Sequence, residues 1–100
     1  MTNDELTTFL QDWFNNLMQL REAKRSEYAS SDSAFQNFEE ASSLLHEKPQ
    51  KVALYYMTKH IISIYDIYRD DESYNKKKHL LPEKINDAIL YLLLMLAMER

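Results

Sequence analysis

Not one glycine occurs among the 100 residues of this chain, and its only prolines are Pro49 and Pro82. Glycine takes φ > 0 without steric penalty, and tight hairpins depend on that freedom. A chain without it is poorly equipped to build sheet and is expected to be helical. The two prolines then read as helix starts, where a missing N–H costs nothing. The expected fold class is all-α.

A chain this long is expected to form one domain over 1–100, with net stability of ~5–10 kcal/mol. There is no cysteine, which excludes a disulfide scaffold and any cysteine-based zinc site. The net charge of −4 argues against a general nucleic-acid binder, whose surface should be basic. The opening MTNDELTTFLQDW has neither the basic stretch nor the continuous apolar run of a secretory signal. A cytoplasmic protein is expected, with no membrane partner.

The segment PEKINDAILYLLLMLAMER, from Pro82 to Arg100, is the one around which the rest must pack. From Ala88 to Met98 it is apolar on every side, so it must be covered by a core or by another subunit. The run is too short to cross a bilayer, which takes about 20 apolar residues. Upstream, Thr2 and Glu5 have capping-box spacing. Leu6, Phe9, Leu10, Trp13, Phe14, Leu17 and Leu20 recur at three- and four-residue steps, a broad core-facing stripe. Arg21, Lys24 and Arg25 suit the negative end of that helix. Ala29–Ser33 is a polar break in which Asp32 or Ser33 can cap a second helix, carrying Phe35, Phe38, Ala41, Leu44 and Leu45. A third helix opens at Pro49. Its first stripe is Leu54, Met57, Ile61, Ile64 and Tyr68; its second, Val52, Tyr55, Tyr56 and Ile62, is interrupted by Lys59.

Helices are thus predicted over about 3–28, 33–46, 49–69 and 82–99, with a mobile charged loop at 70–80. No internal repeat and no heptad run long enough to specify a coiled coil is present. Four helices on short connections predict an antiparallel four-helix bundle. One copy has too little surface to cover the third and fourth helices, so a homo-oligomer is expected to complete it.

Few residues suit covalent chemistry. Without cysteine or glycine there is no thiol nucleophile, no sharp nucleophile turn and no phosphate-cradling loop. His46, His60 and His79 lack metal-ligand spacing, and His60 reads as a half-buried packing residue. The acids offer more. Glu83 and Asp87 lie on one face of one turn, and with Glu39 or Glu40 from the second helix they could converge in a bundle. Acids on facing helices are how all-α proteins hold Mg²⁺ or Mn²⁺. The plainer alternative is that they answer the helix dipole. Lys59 either snorkels to water, pairs with these acids, or meets a ligand phosphate. Tyr28, Phe35, Phe38, Tyr55, Tyr56 and Tyr91 are mainly core, though one or two could stack on a base at ~1–3 kcal/mol. Lys76-Lys77-Lys78 could steer a phosphate, the plainer alternative being a solvated run.

The run REAKRSEYASSDSAFQNFEEAS, with its K-R-x-x-Y and F-x-N-F elements, resembles a motif of small phage and prophage proteins. These are the nucleotide modification associated domain and its relatives, the all-α MazG-like nucleotide pyrophosphohydrolases. Lys59 matches a lysine of the family's middle helix, and Glu83, Asp87 and Tyr91 look like its E-x-x-x-D-x-x-x-Y ending. The resemblance covers the chain from about Arg21 onward. It implies a phage origin, a helical bundle that is often oligomeric, and a nucleotide site drawn from Tyr28, Asn37, Lys59 and Tyr91. It points as well to Glu83 and Asp87, which with Glu40 of the second helix would hold the metal. One departure matters. MazG-like enzymes carry E-E-x-x-E on one helix and E-x-x-D on another. Here Glu39-Glu40 is followed by Ala41, Ser42 and Ser43, and the second motif is stretched to E-x-x-x-D. Each change removes or moves a ligand. Nucleotide binding is therefore the first expectation, with Mg²⁺-dependent pyrophosphohydrolysis as its extension. The alternative is a counter-defence protein that sequesters a nucleotide signal or inhibits a host protein, and a third reading is an assembly subunit without a ligand.

Overall fold

A computed structural model describes residues 1–28 and 35–100, apart from the side chains of residues 24 and 26–28. The described residues are helical and include no strand. The elements are α1 (Asn3–Tyr28), α2 (Gln36–Leu45), α3 (Pro49–Ile67), α4 (Asp71–Lys77), a 3-10 turn over Lys78–Leu80, and α5 (Leu81–Met98). The polar break at Ala29–Ser33, with its candidate caps Asp32 and Ser33, lies outside the described residues. Contacts group the chain into two compact units, Met1–Asp32 and Ser33–Arg100.

The first unit is α1. The Thr2 hydroxyl oxygen accepts the Glu5 backbone N–H at 3.1 Å, the bond that a helix-starting threonine is placed to make. Asp4 and Glu5 occupy the first turn and Arg25 the last, both favourable to the helix dipole. Phe9 and Trp13, one turn apart, stack at 5.4 Å and 27°. Leu17 is buried, while Leu6, Phe9, Leu10, Phe14 and Leu20 are exposed.

In the second unit, α2 and α3 form a tight helical hairpin. A helix often ends on a residue with φ > 0, usually glycine. Lacking one, the chain uses His46, at φ 55° and ψ 40°, with its N–H donating to the Ser42 carbonyl. Histidine is one of the few other residues that tolerate this region. The Ser42 hydroxyl donates to the Glu47 carbonyl and closes the turn. Pro49 then sits in the first turn of α3. A Cβ in the left-handed region costs ~1–2 kcal/mol, part of which glycine returns to the unfolded chain as entropy. His46→Gly is accordingly expected to stabilise this unit by ~0.5–1 kcal/mol, read as a higher midpoint in urea. An unchanged or lower midpoint would show that the turn carries no such strain.

Helix α5 runs antiparallel to α3. The Gln50 side-chain amide donates to Glu99 at 2.9 Å near one end, and His60 meets Asp87 further along. The core holds Phe38 from α2 and Val52 and Ala53 from α3, the last two fully buried. Phe35, Ala41, Tyr91, Leu94, Met95 and Met98 pack against it. Among the described residues of the second unit, α5 is covered on one face. Asn86 and Ala88 are buried, but Leu92, Leu93 and Leu96 are 46–62% exposed. No helix among the described residues is long and apolar enough to cross a membrane.

The stretch expected to be a mobile loop at 70–80 is instead α4 and the 3-10 turn. Its mixed charges are positioned, not merely solvated. The Asp70 carboxylate caps α4 by accepting the Ser73 N–H at 2.8 Å, with Asp71 and Glu72 in the first turn and Lys76 and Lys77 in the last. Lys77 reaches back to Asp66 of α3 at 2.7 Å. Arg69 bridges Asp66 at 3.1 Å and Asp70 at 3.3 Å, and donates to the Ser73 hydroxyl at 3.0 Å. The Lys77 ammonium holds the Asp66 carboxyl below the usual aspartate range, and the Ser73 N–H does the same for Asp70. Groups depressed in this way lend stability above the unfolded aspartate pKa of ~3.9, and lose it as pH falls through their folded values. Amide exchange at Ser73 and Tyr74 should therefore accelerate below about pH 4 beyond the intrinsic rate, and stay slow at pH 6. Equal protection at both values would mean that these carboxylates do not hold α4.

Candidate functional site

Two i, i+4 pairs face each other across the antiparallel α3–α5 contact: Tyr56 and His60 on α3, Asp87 and Tyr91 on α5. Side chains four apart share a helix face, so each pair presents a ring with a titratable neighbour. The His60 and Tyr91 rings stack at 5.4 Å and 28°. His60 Nδ1 lies 3.7 Å from Asp87 Oδ2, an ion-pair separation when the imidazole is protonated, but longer than a hydrogen bond. Phe38 of α2 meets Tyr91 edge-on at 6.1 Å and 81° and tilts against Tyr56 at 5.9 Å. Tyr56 and Tyr91 close the group at 6.3 Å and 63°.

This cluster is anchored below and open above. Phe38 belongs to the core, Tyr56 is exposed, and the His60 and Asp87 side chains remain 22% and 19% exposed. An aromatic face of this kind can take a flat ring edge-on or stacked. The Asp87 carboxylate accepts hydrogen bonds and repels phosphate, so it suits a base amine, a ribose hydroxyl or a cation.

The candidate residues taken from the sequence fall around this cluster unevenly. Tyr91 and Asp87 are in it. Lys59, the residue before His60, is exposed and makes no salt bridge within 4.0 Å to Glu83 or Asp87. Glu83 is exposed one turn before Asp87, and Asn37 is exposed beside Phe38. Glu40 accepts a hydrogen bond from the Gln36 side chain at 3.0 Å. Tyr28 ends α1, and its side chain lies outside the described residues. The suggested Mg²⁺ or Mn²⁺ ligands do not come together as a set. Among the described residues no group of three or more histidine or acidic side chains is placed to hold a metal.

Two members escaped the sequence reading. His60 looked like packing, and Tyr56 looked like one more core aromatic. The available signal was their i, i+4 spacing, but nothing local states that α3 and α5 meet in the register that sets His60 against Asp87. The lysine run is largely engaged: Lys76 with Glu72 at 2.9 Å, Lys77 with Asp66, and Lys78 over the Tyr74 ring at 5.7 Å. No protein-family model, curated protein or solved structure matches this chain.

Proposed function

We propose that this chain is a small nucleotide-binding protein whose ligand docks on the Phe38–Tyr56–His60–Asp87–Tyr91 cluster. The observation that carries the reading is the solvent-open stack of His60 on Tyr91 beside Asp87. A base would lie against the rings, a contact worth ~1–3 kcal/mol. Asp87 would accept from its amine or from a ribose hydroxyl. Lys59, exposed one position before His60 on α3, would meet phosphate, with Asn37 at the edge of the site.

The resemblance to the MazG-like proteins supports the same ligand class, and with it a phage origin and a four-helix bundle completed by oligomerisation. Exposed Leu92, Leu93 and Leu96 on α5 support the oligomer. Binding takes precedence over hydrolysis in this reading, because the acidic motifs lack or displace ligands that the enzymes carry. The protein then acts by holding a nucleotide, as a sequestering protein would.

The test is a panel of NTPs, dNTPs and cyclic nucleotides with Mg²⁺, read by thermal shift and by pyrophosphate release. A saturable rise in melting temperature with at least one nucleotide is expected, reduced at least threefold in affinity by Lys59→Ala. No shift with any member at millimolar concentration would overturn the proposal.

A further inference from the structure

Resting on the nucleotide reading of the cluster, we infer that the ligand's base is guanine and that Asp87 selects it. Four rings make up the cluster, those of Phe38, Tyr56, His60 and Tyr91, with neighbouring centroids 5.4–6.3 Å apart. Every base has a π-face, so stacking on these rings binds without choosing. A bicyclic purine covers more ring surface than a pyrimidine, which narrows the choice only to adenine or guanine. Identity has to be read by hydrogen bonds at the edge of the base.

The group placed to read that edge is the Asp87 carboxylate. It lies beside the His60–Tyr91 stack and is partly exposed. Glu83, one turn earlier on the same face of α5, is exposed as well. An ionised carboxylate accepts hydrogen bonds, about four in all, and donates none. A base edge turned toward it must therefore present donors. Guanine alone among the bases sets two donors side by side, its N1–H and its 2-amino group, matched to the two oxygens of one carboxylate. Adenine and cytosine each offer one amine next to a ring-nitrogen lone pair. Uracil and thymine offer one N–H between two carbonyls. In each of those pairings a lone pair faces the acid, and the edge is repelled where guanine's is held. Bonds of this kind, to a charged acceptor, are also the stronger ones.

The test is calorimetric titration of the full chain with guanosine, inosine, adenosine, cytidine and uridine nucleotides, as 5′-triphosphates with Mg²⁺ and as 3′,5′-cyclic monophosphates. The guanosine form should bind about tenfold or more tighter than the others of its series. Inosine keeps N1–H and lacks the 2-amino group, so it isolates the second bond and should fall with the rest. Asp87→Asn sets a donor beside an acceptor; it should weaken the guanosine form about tenfold or more and bring the adenosine form level with it or above. Adenosine binding as tightly as guanosine in the parent chain, or inosine matching guanosine, would overturn the inference and leave the nucleotide site standing. So would an Asp87→Asn chain that still prefers guanosine. No binding by any of these nucleotides would overturn the site and the inference together. Should Asp87→Asn fail to fold, the nucleotide series on the parent chain still decides.

Discussion

Val52→Asp is expected to abolish the cooperative unfolding of the Ser33–Arg100 unit. Val52 is fully buried, at the centre of the cluster it shares with Phe38 and Ala53. An aspartate there would place a carboxylate in the cluster against which Phe35, Tyr91, Leu94 and Met95 pack. Such a charge costs ~3–5 kcal/mol or more, beyond the lost packing. At ~0.05–0.15 kcal/mol per residue, a unit of this size holds only ~3–10 kcal/mol in total. Circular dichroism against urea should show a sloping baseline in place of a sigmoid. Ile62→Asp on the same helix, where the residue is 62% exposed, should move the midpoint by no more than ~1 kcal/mol. Similar losses at both positions would mean that the core is not where Val52 lies.

Tyr91→Ala is expected to have the largest effect on ligand binding, a loss of about 100-fold or more in affinity. Its ring is the member shared by all the others, touching Phe38, Tyr56 and His60. Truncation removes a stacking surface worth ~1–3 kcal/mol and also frees His60 from the orientation that sets it beside Asp87. Tyr91→Phe keeps the ring and should stay within about threefold of the parent, as measured by titration calorimetry. Affinity surviving Tyr91→Ala in a folded protein would move the ligand elsewhere.

The helical class was legible because it follows from what the chain lacks and from two spacings. Without glycine, sheet turns have no residue to make them, and Pro49 and Pro82 sit in the first turns of α3 and α5. The 70–80 stretch was not legible. DDESYNKKKHL has no apolar period, and its order comes from Asp70 capping Ser73 and from Lys77 reaching eleven residues back to Asp66. A periodicity argument sees neither. His46 shows the same limit from the other side. Without glycine no residue of the chain prefers φ > 0, yet the α2–α3 turn needs one such residue and takes a histidine.

The site was legible by residue and not by register. Asp87 stands out by its i, i+4 spacing to Glu83, and Tyr91 by the resemblance to the E-x-x-x-D-x-x-x-Y ending, and the two do share a cluster. Lys59 drew attention as a cation inside an apolar stripe, but the group that meets Asp87 is its neighbour His60. One residue along a helix turns a side chain by about 100°, and only the packing of α3 on α5 decides which of the two faces the acid.

Proton–carbon spectra of the histidine and tyrosine rings, recorded during titration with the best nucleotide of the panel, test the central claim most directly. The three histidines, His46, His60 and His79, report from separate parts of the second unit. The account predicts that the His60 and Tyr91 ring signals shift together along one saturation curve while His46 and His79 stay fixed. Signals of His60 and Tyr91 that do not move at saturating nucleotide, or shifts confined to His79 beside the Lys76–Lys78 run, would contradict it.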